Sequence, residues 1–408
     1  MRPAGRSAAT PTARATAAGV LRLVIFGLGC AGERVEPSPA PAPPPAATPD
    51  GPWIRPAVPP EAQIAGISGM KAADCAPCHA EIVAEWRTST HAAAWKDPQF
   101  QQELAKDPGV AYLCINCHTP AAAQQAQLHA PTALLRSPVV SPNPAYDPAF
   151  QDEGVSCMSC HYRPGGQIAA AHEGVRAPHP TVYAPELREA GTCTTCHQAV
   201  TRVEDTLICT FNTGAEWEEA APGMACPACH MPEIARSHAV GAPIRVGGRH
   251  TFPGSLIPKK AAYTPEELAI IGEWAPGATL RGERTAGGLR LHLRNERAGH
   301  RLPTGDPERQ LYLRLLRADT GAILWEERIG QTWTWWPRAE RTADNRLARG
   351  ETRTYDVPLP DGRAEGLIVR LDHERISEKN ATMHGLRDYA RARTVIELDA
   401  ASLPVAAP

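Results

Sequence analysis

The 408-residue chain has little aromatic material: Phe, Trp and Tyr make up 5% of it, with only 5 Phe. These side chains do not fill the core of a chain this long, so other apolar matter is expected inside. Acidic residues are missing from the N-terminus. None precedes Glu33, whereas Arg2, Arg6, Arg14 and Arg22 are present. A long hydrophobic run is missing too: the apolar stretch from Leu23 to Gly29 is too short to span a bilayer. No repeat runs through the text between its short recurrent motifs. Charge of one sign is also lacking, with 42 Lys and Arg against 44 Asp and Glu. That balance argues against nucleic acid as a partner. The length fits two or three domains.

Cysteine, by contrast, is organised. Ten of the twelve sit in five copies of Cys-x-x-Cys-His: Cys75, Cys78 and His79; Cys114, Cys117 and His118; Cys157, Cys160 and His161; Cys193, Cys196 and His197; Cys226, Cys229 and His230. The pentad is the attachment signature for c-type haem. Its thiols add across the porphyrin vinyl groups, and its His is the proximal iron ligand. Two intervening residues set both sulfurs on one side of a helical turn. A lone Cys-x-x-Cys also fits half a zinc site or a redox dithiol. Zinc ribbons need no His fixed beside each pair, so five such copies point to five covalently attached haem c groups. Five flat apolar porphyrins also account for the scarce aromatics, and their propionates make the loaded protein more acidic.

The basic, apolar N-terminus reads as an export signal over residues 1–30, ending at Cys30. Gly27-Leu28-Gly29-Cys30 resembles a bacterial lipoprotein cleavage box, with Gly where Leu is usual. Lipidation of Cys30 is the favoured fate; ordinary signal cleavage and an uncleaved anchor are the alternatives. Each places the folded part outside the cytoplasm, at the periplasmic or cell-surface face, where c-type haems are attached. Residues 31–64, rich in Pro and Ala from Pro37 to Pro60, read as a semi-extended tether or disordered leader.

Residues 65–276 carry the pentads at irregular spacing. Short helices and loops around closely stacked haems are expected there. Ten His lie outside the pentads, enough to give every iron a second ligand. His91, following Trp86 and Ser89, is the strongest candidate. His250, in Gly248-Arg249-His250-Thr251, follows, then His179 between two prolines. His129, His172 and His238 rank lower, and Met158, Met224 and Met231 read as packing. Cys209 reads as a buried, unmodified thiol.

Several stretches together resemble the multihaem cytochrome c superfamily. They are Cys75 to His91, the Glu153-Gly154-Val155-Ser156 lead-in to Cys157, Cys226 to Pro232, and the His250 loop. The superfamily includes pentahaem nitrite reductase, octahaem hydroxylamine oxidoreductase and tetrahaem carriers. The tetrahaem carriers are the most similar, and the resemblance covers about half the chain. It implies closely packed haem pairs with mostly bis-His ligation. Two departures stand against transferring catalytic activity. No pentad has Lys in place of His, as the nitrite reductases do, and no motif for the Tyr cross-link of hydroxylamine oxidoreductase is found.

Residues 277–408 change character. Leu289, Leu291 and Leu293 alternate with polar residues, as do Leu311, Leu313 and Leu315. Further strands are expected at Ile323–Trp325, Tyr355–Val357, Leu367–Leu371 and Thr394–Leu398. Thr264-Pro265-Glu266-Glu267 before them reads as a helix start with a capping box. The fold class is thus mixed: a mainly helical, loop-rich multihaem domain, then an antiparallel β-sandwich domain. Trp333, Trp335 and Trp336 cannot all face one core. Gly299-His300-Arg301-Leu302-Pro303-Thr304-Gly305 resembles a turn of β-domains attached to multihaem cytochromes, which makes His300 a further candidate iron ligand.

The expected function is electron transfer between other redox proteins, as donor and acceptor, with the chain held at a membrane by an N-terminal lipid. The alternative is reduction or oxidation of a small nitrogen or sulfur compound at one open iron, near Arg163, Arg176 and His172. A third is a sensor or structural subunit.

Overall fold

In a computed structural model, which describes residues 56–130 and 135–406, every pentad is helical. The export signal, Cys30 and most of the tether lie outside the described residues. The pentad helices are Ala72–Arg87, Ala111–His118, Cys157–His161, Ala190–His197 and Cys226–His230. Four of them stop at the pentad His. In the first, Pro77 removes a helical N–H and the backbone leaves helical geometry at His79, with φ −118° and ψ 38°. The imidazole therefore stands where a helix ends or breaks. The residue after it closes the last turn; the Met231 N–H, for example, donates to the Pro227 carbonyl at 2.8 Å.

Short strands, which the sequence reading of this part does not foresee, follow three of these helices. They pair as Tyr162–Arg163 with Gln167–Ala170 and Thr181–Tyr183, as Ala199–Val203 with Thr206–Phe211, and as Glu233–Ser237 with Ile244–Gly248. A fourth small sheet joins Gln127–His129 to Val140–Pro142. None exceeds six residues, too short for alternation to stand out. The end of the expected tether is also packed. Val58 is 1% exposed, its N–H donates to Pro120, and with Ala62 and Ile64 it joins a cluster containing Phe150 and Met158. These are the larger apolar residues that interrupt the Pro/Ala text.

Beyond the helix Pro265–Ile271, whose Thr264 and Glu267 form the expected capping box, eight strands make two antiparallel sheets. One orders Ala278–Thr285, Gly288–Asn295 and Thr352–Val357. The other orders Glu340–Asp344, Ile323–Thr334, Gln310–Arg317, Leu367–Glu374 and Ala392–Asp399. Leu291, Leu293, Leu313, Leu315, Val369 and Leu371 are fully buried in one cluster that draws on both sheets. Alternation set these faces: successive side chains point to opposite sides of a strand, so every second leucine enters the core. Trp333 stacks on Trp335 with ring centres 5.5 Å apart, while Trp336 is 84% exposed.

Candidate haem-binding cavity

All ten pentad cysteines and all five pentad histidines line one connected cavity of about 2480 Å³. Small-molecule pockets run to about 300–1,000 Å³, so this space suits several large ligands. His91, His179, His250 and His300 line it as well. Cysteines of neighbouring pentads lie close enough to perturb one another's thiols: Cys75 and Cys157, Cys117 and Cys196, and Cys193 and Cys226. Cys160 lies near Cys193 and Cys196. The fourth pentad therefore adjoins the second, third and fifth.

Four of the five pentad imidazoles are oriented by backbone carbonyls. Nδ1 of His79 donates to the His238 carbonyl at 2.7 Å, His118 to Ala94 at 3.0 Å, His161 to Ala169 at 2.8 Å and His230 to Pro253 at 2.6 Å. An Nδ1–H so engaged fixes the tautomer and leaves Nε2 bare for a metal. His250 and His300 do the same, toward Gly248 at 3.1 Å and Arg301 at 2.8 Å.

Three of the candidate histidines face a pentad imidazole. Ring centres are 6.1 Å apart for His91 and His197, 6.2 Å for His250 and His161, and 6.4 Å for His300 and His230. With a metal–imidazole bond of about 2 Å and a ring radius of about 1.1 Å on each side, two imidazoles on one metal have centres roughly 6.3 Å apart. The residues present thus fit a haem iron between each pair. For His79 and His118 no second imidazole stands at that spacing among the described residues; Phe100 stacks on His118 at 3.7 Å. Burial pushes His91 down to about 3, and His118, His197, His250 and His300 down to about 4, with neighbouring positive groups adding to the effect. All five are neutral at pH 7, the form that ligates metal.

Two buried carboxylates seat the loops that bring the far histidines in. Glu85, on the first pentad helix, accepts two bonds from Arg236, at 2.9 and 2.7 Å, one from Arg249 Nε at 2.9 Å, and one from the His250 N–H at 2.9 Å. Burial alone would raise its pKa; Arg236, the His250 N–H and Arg249 outweigh that and hold it below its ordinary value. Glu216, on the helix Thr213–Ala220, accepts from Arg346 at 2.5 Å and from Thr304 at 2.7 Å. Asn295 Nδ2 donates to the His300 carbonyl at 2.9 Å. These bonds hold the turn carrying His300 against the fifth pentad.

Residues 74–162, which hold the first three pentads, match the family described as cytochrome c554 and c-prime. No curated protein matches the chain in sequence. Among solved structures, a penta-heme cytochrome c552 from Thermochromatium tepidum is similar, with a TM-score of 0.55 and 20% identity over 80% of this chain and 97% of that one. The fold is that of a multihaem c-type cytochrome.

Within this cytochrome fold the remaining sequence candidates fall in several places. His179 is half-buried on the cavity wall, its Nδ1 3.2 Å from Thr181 Oγ1. His172 and His238 have ring centres 6.3 Å apart, and neither belongs to a pentad. His129 stacks on Tyr112 at 4.8 Å. Arg163, Arg176 and His172, the suggested pocket, all line the cavity, though no hydrogen bond joins them among the described residues. Arg163 bonds to Glu186 and to the Cys160 and Tyr162 carbonyls, Arg188 donates to His172 at 3.1 Å, and Arg176 is exposed. Cys209 is unpaired among the described residues, and burial pushes its thiol up to about 12. Sequence reasoning missed Glu85 and Glu216. A lone Glu on an amphipathic helix carries no mark of the arginines it will meet.

Proposed function

We propose that the protein is an extracytoplasmic electron carrier with five haem c groups, one on each pentad, serving other redox proteins as donor and acceptor. One observation carries this reading: all five pentads open into a single cavity, with cysteines of neighbouring pentads close together. Haem c supplies a one-electron iron centre when bound. The chain's part is to attach, orient and enclose. We assign His91 as second ligand opposite His197, His250 opposite His161 and His300 opposite His230, on the ring spacings above. His179 is assigned to the first pentad. Its loop packs on Gly66, where an added Cβ would meet the Pro178 carbonyl at 2.1 Å, just ahead of the helix that bears Cys75. Paired imidazoles keep iron low-spin in both redox states, so little reorganises on transfer, and they give lower potentials than His/Met ligation.

We further read residues 65–276 as the haem domain and residues 277–408 as a β-sandwich domain, its two sheets facing across the shared leucine core. The export signal, lipidation at Cys30 and membrane anchoring rest on composition and the cleavage-box resemblance.

A second reading has its own support. Among the described residues His118 faces no second imidazole, so its iron would keep an open position for a small nitrogen or sulfur compound. Intact mass and low-temperature EPR of the oxidised protein test both readings. Five haem additions are expected, and fewer would sink the count. Low-spin signals unmoved by nitrite, hydroxylamine or cyanide support the carrier. A high-spin signal that converts on addition would transfer the claim to a ligand-binding or catalytic iron.

A further inference from the structure

Where the leucine face of the five-stranded sheet reaches the cavity, its chemistry reverses. Leu311, Leu313, Leu371 and Val369 share that face, and the register pairs Leu311 with His373 and Gln310 with Glu374. The next positions on the same face are Arg309, beside the start of one strand, and His373 and Arg375, at the end of the other. Arg393, paired with His373 across the neighbouring strand, is exposed at the rim. All four line the cavity, with Lys259 beside them. A buried leucine face that ends in cations is costly unless the charges find partners.

Two of these cations are provided for. Lys259 Nζ is 2.5 Å from Asp97, which also accepts from Tyr389 Oη at 2.7 Å. Arg375 donates to the carbonyls of Ile257 and Pro258 and to Tyr389 Oη. Arg309 is not. Its guanidinium has no hydrogen bond or ion pair among the described residues, and its Nε is buried without a partner. His373 Nε2 is likewise buried and unpartnered. Asp306, the nearest carboxylate in sequence, accepts from the Glu308 N–H instead, at 2.8 Å. Arg309 also abuts Gly305, where a Cβ would meet its Nε at 3.4 Å. The side chain is thus confined on one side and open on the cavity side.

We propose that Arg309 and His373 form an anion site on the β-sheet side of the haem cavity, taking a carboxylate or a small planar oxyanion of the nitrite type. A guanidinium offers a planar fork of donors that matches two oxygens of such an anion, and the imidazole Nε2–H adds a third donor. Lys259 and Arg375, fixed by their own partners, add positive potential without competing for the anion. The ligand has two possible sources: the propionate of a haem bound in the cavity, or a free oxyanion from solution. The proposal rests on the haem-loaded reading above but on no assignment of iron ligands. A preparation without covalent haem would overturn both, whereas a fully loaded protein whose variants change nothing overturns this one alone.

The test uses the full-length haem-loaded protein and its Arg309→Gln and His373→Gln variants, each checked for haem content and Soret spectrum. Sodium nitrite is titrated calorimetrically, and each protein is titrated spectroelectrochemically. Nitrite binding to the unmodified protein that weakens about tenfold or more in either variant identifies a free oxyanion. No nitrite binding, with one haem potential moved in the negative direction in Arg309→Gln, identifies a propionate, because removing a nearby positive charge favours ferric iron. Where Arg309→Gln fails to load haem, Arg309→Lys serves, since it keeps the charge and loses the fork. Fully loaded variants with unchanged nitrite isotherms and unchanged potentials overturn the proposal.

Discussion

Glu85 shows how a single buried group positions a distant one. It is 3% exposed and serves Arg236, Arg249 and the His250 N–H together. Replacing it with Gln leaves two arginines partly unpaired, at a cost of about 3 kcal/mol. Chemical denaturation reads that loss, and EPR reads the loosened His250 as a new high-spin signal. A fully stable Glu85→Gln variant with unchanged EPR would refute the role. The same residue sets an acid limit. Its folded pKa lies below its unfolded one, so its contribution is present above about pH 4.5 and fades as pH falls through the folded value. The unmodified protein should lose stability in that window, and Glu85→Gln should lose less of it, as measured by denaturant midpoints at stepped pH. The pentad cysteines were legible at this scale because haem attachment is a local reaction needing neighbours two residues apart. The groups orienting each imidazole were not. The carbonyl serving His118 is 24 residues away and that serving His79 is 159 away, and nothing in the pentads encodes them.

At the scale of elements, the two halves were not equally legible. Alternating leucines announced the C-terminal strands, since a half-buried strand repeats every two residues. The small sheets of the N-terminal half carry no such signal, because their strands are too short for a two-residue repeat to stand out. Arg309 and His373 were hidden by the same alternation, as they occupy positions that continue the leucine face. Leu313 lies at the centre of that face, fully buried. Leu313→Ala should cost about 2–5 kcal/mol, measured as a lowered denaturant midpoint. A change below 1 kcal/mol would mean that the shared core contributes less than its burial indicates.

For the whole molecule, the fourth pentad is the junction, its cysteines lying close to those of the second and fifth and near the third. A Cys193→Ala/Cys196→Ala variant should lose one haem by mass. Rapid-reduction kinetics should then show the remaining haems equilibrating more slowly, and in more than one phase, whereas unchanged kinetics would remove the junction. The long reach to His79 has a further consequence. A chain delivered N-terminus first exposes Cys75 and Cys78 early, yet the His238 carbonyl that steadies His79 arrives 159 residues later. The first pentad available for haem attachment is thus among the last to acquire its finished surroundings. Any pause in delivery before residue 238 leaves its imidazole free to turn.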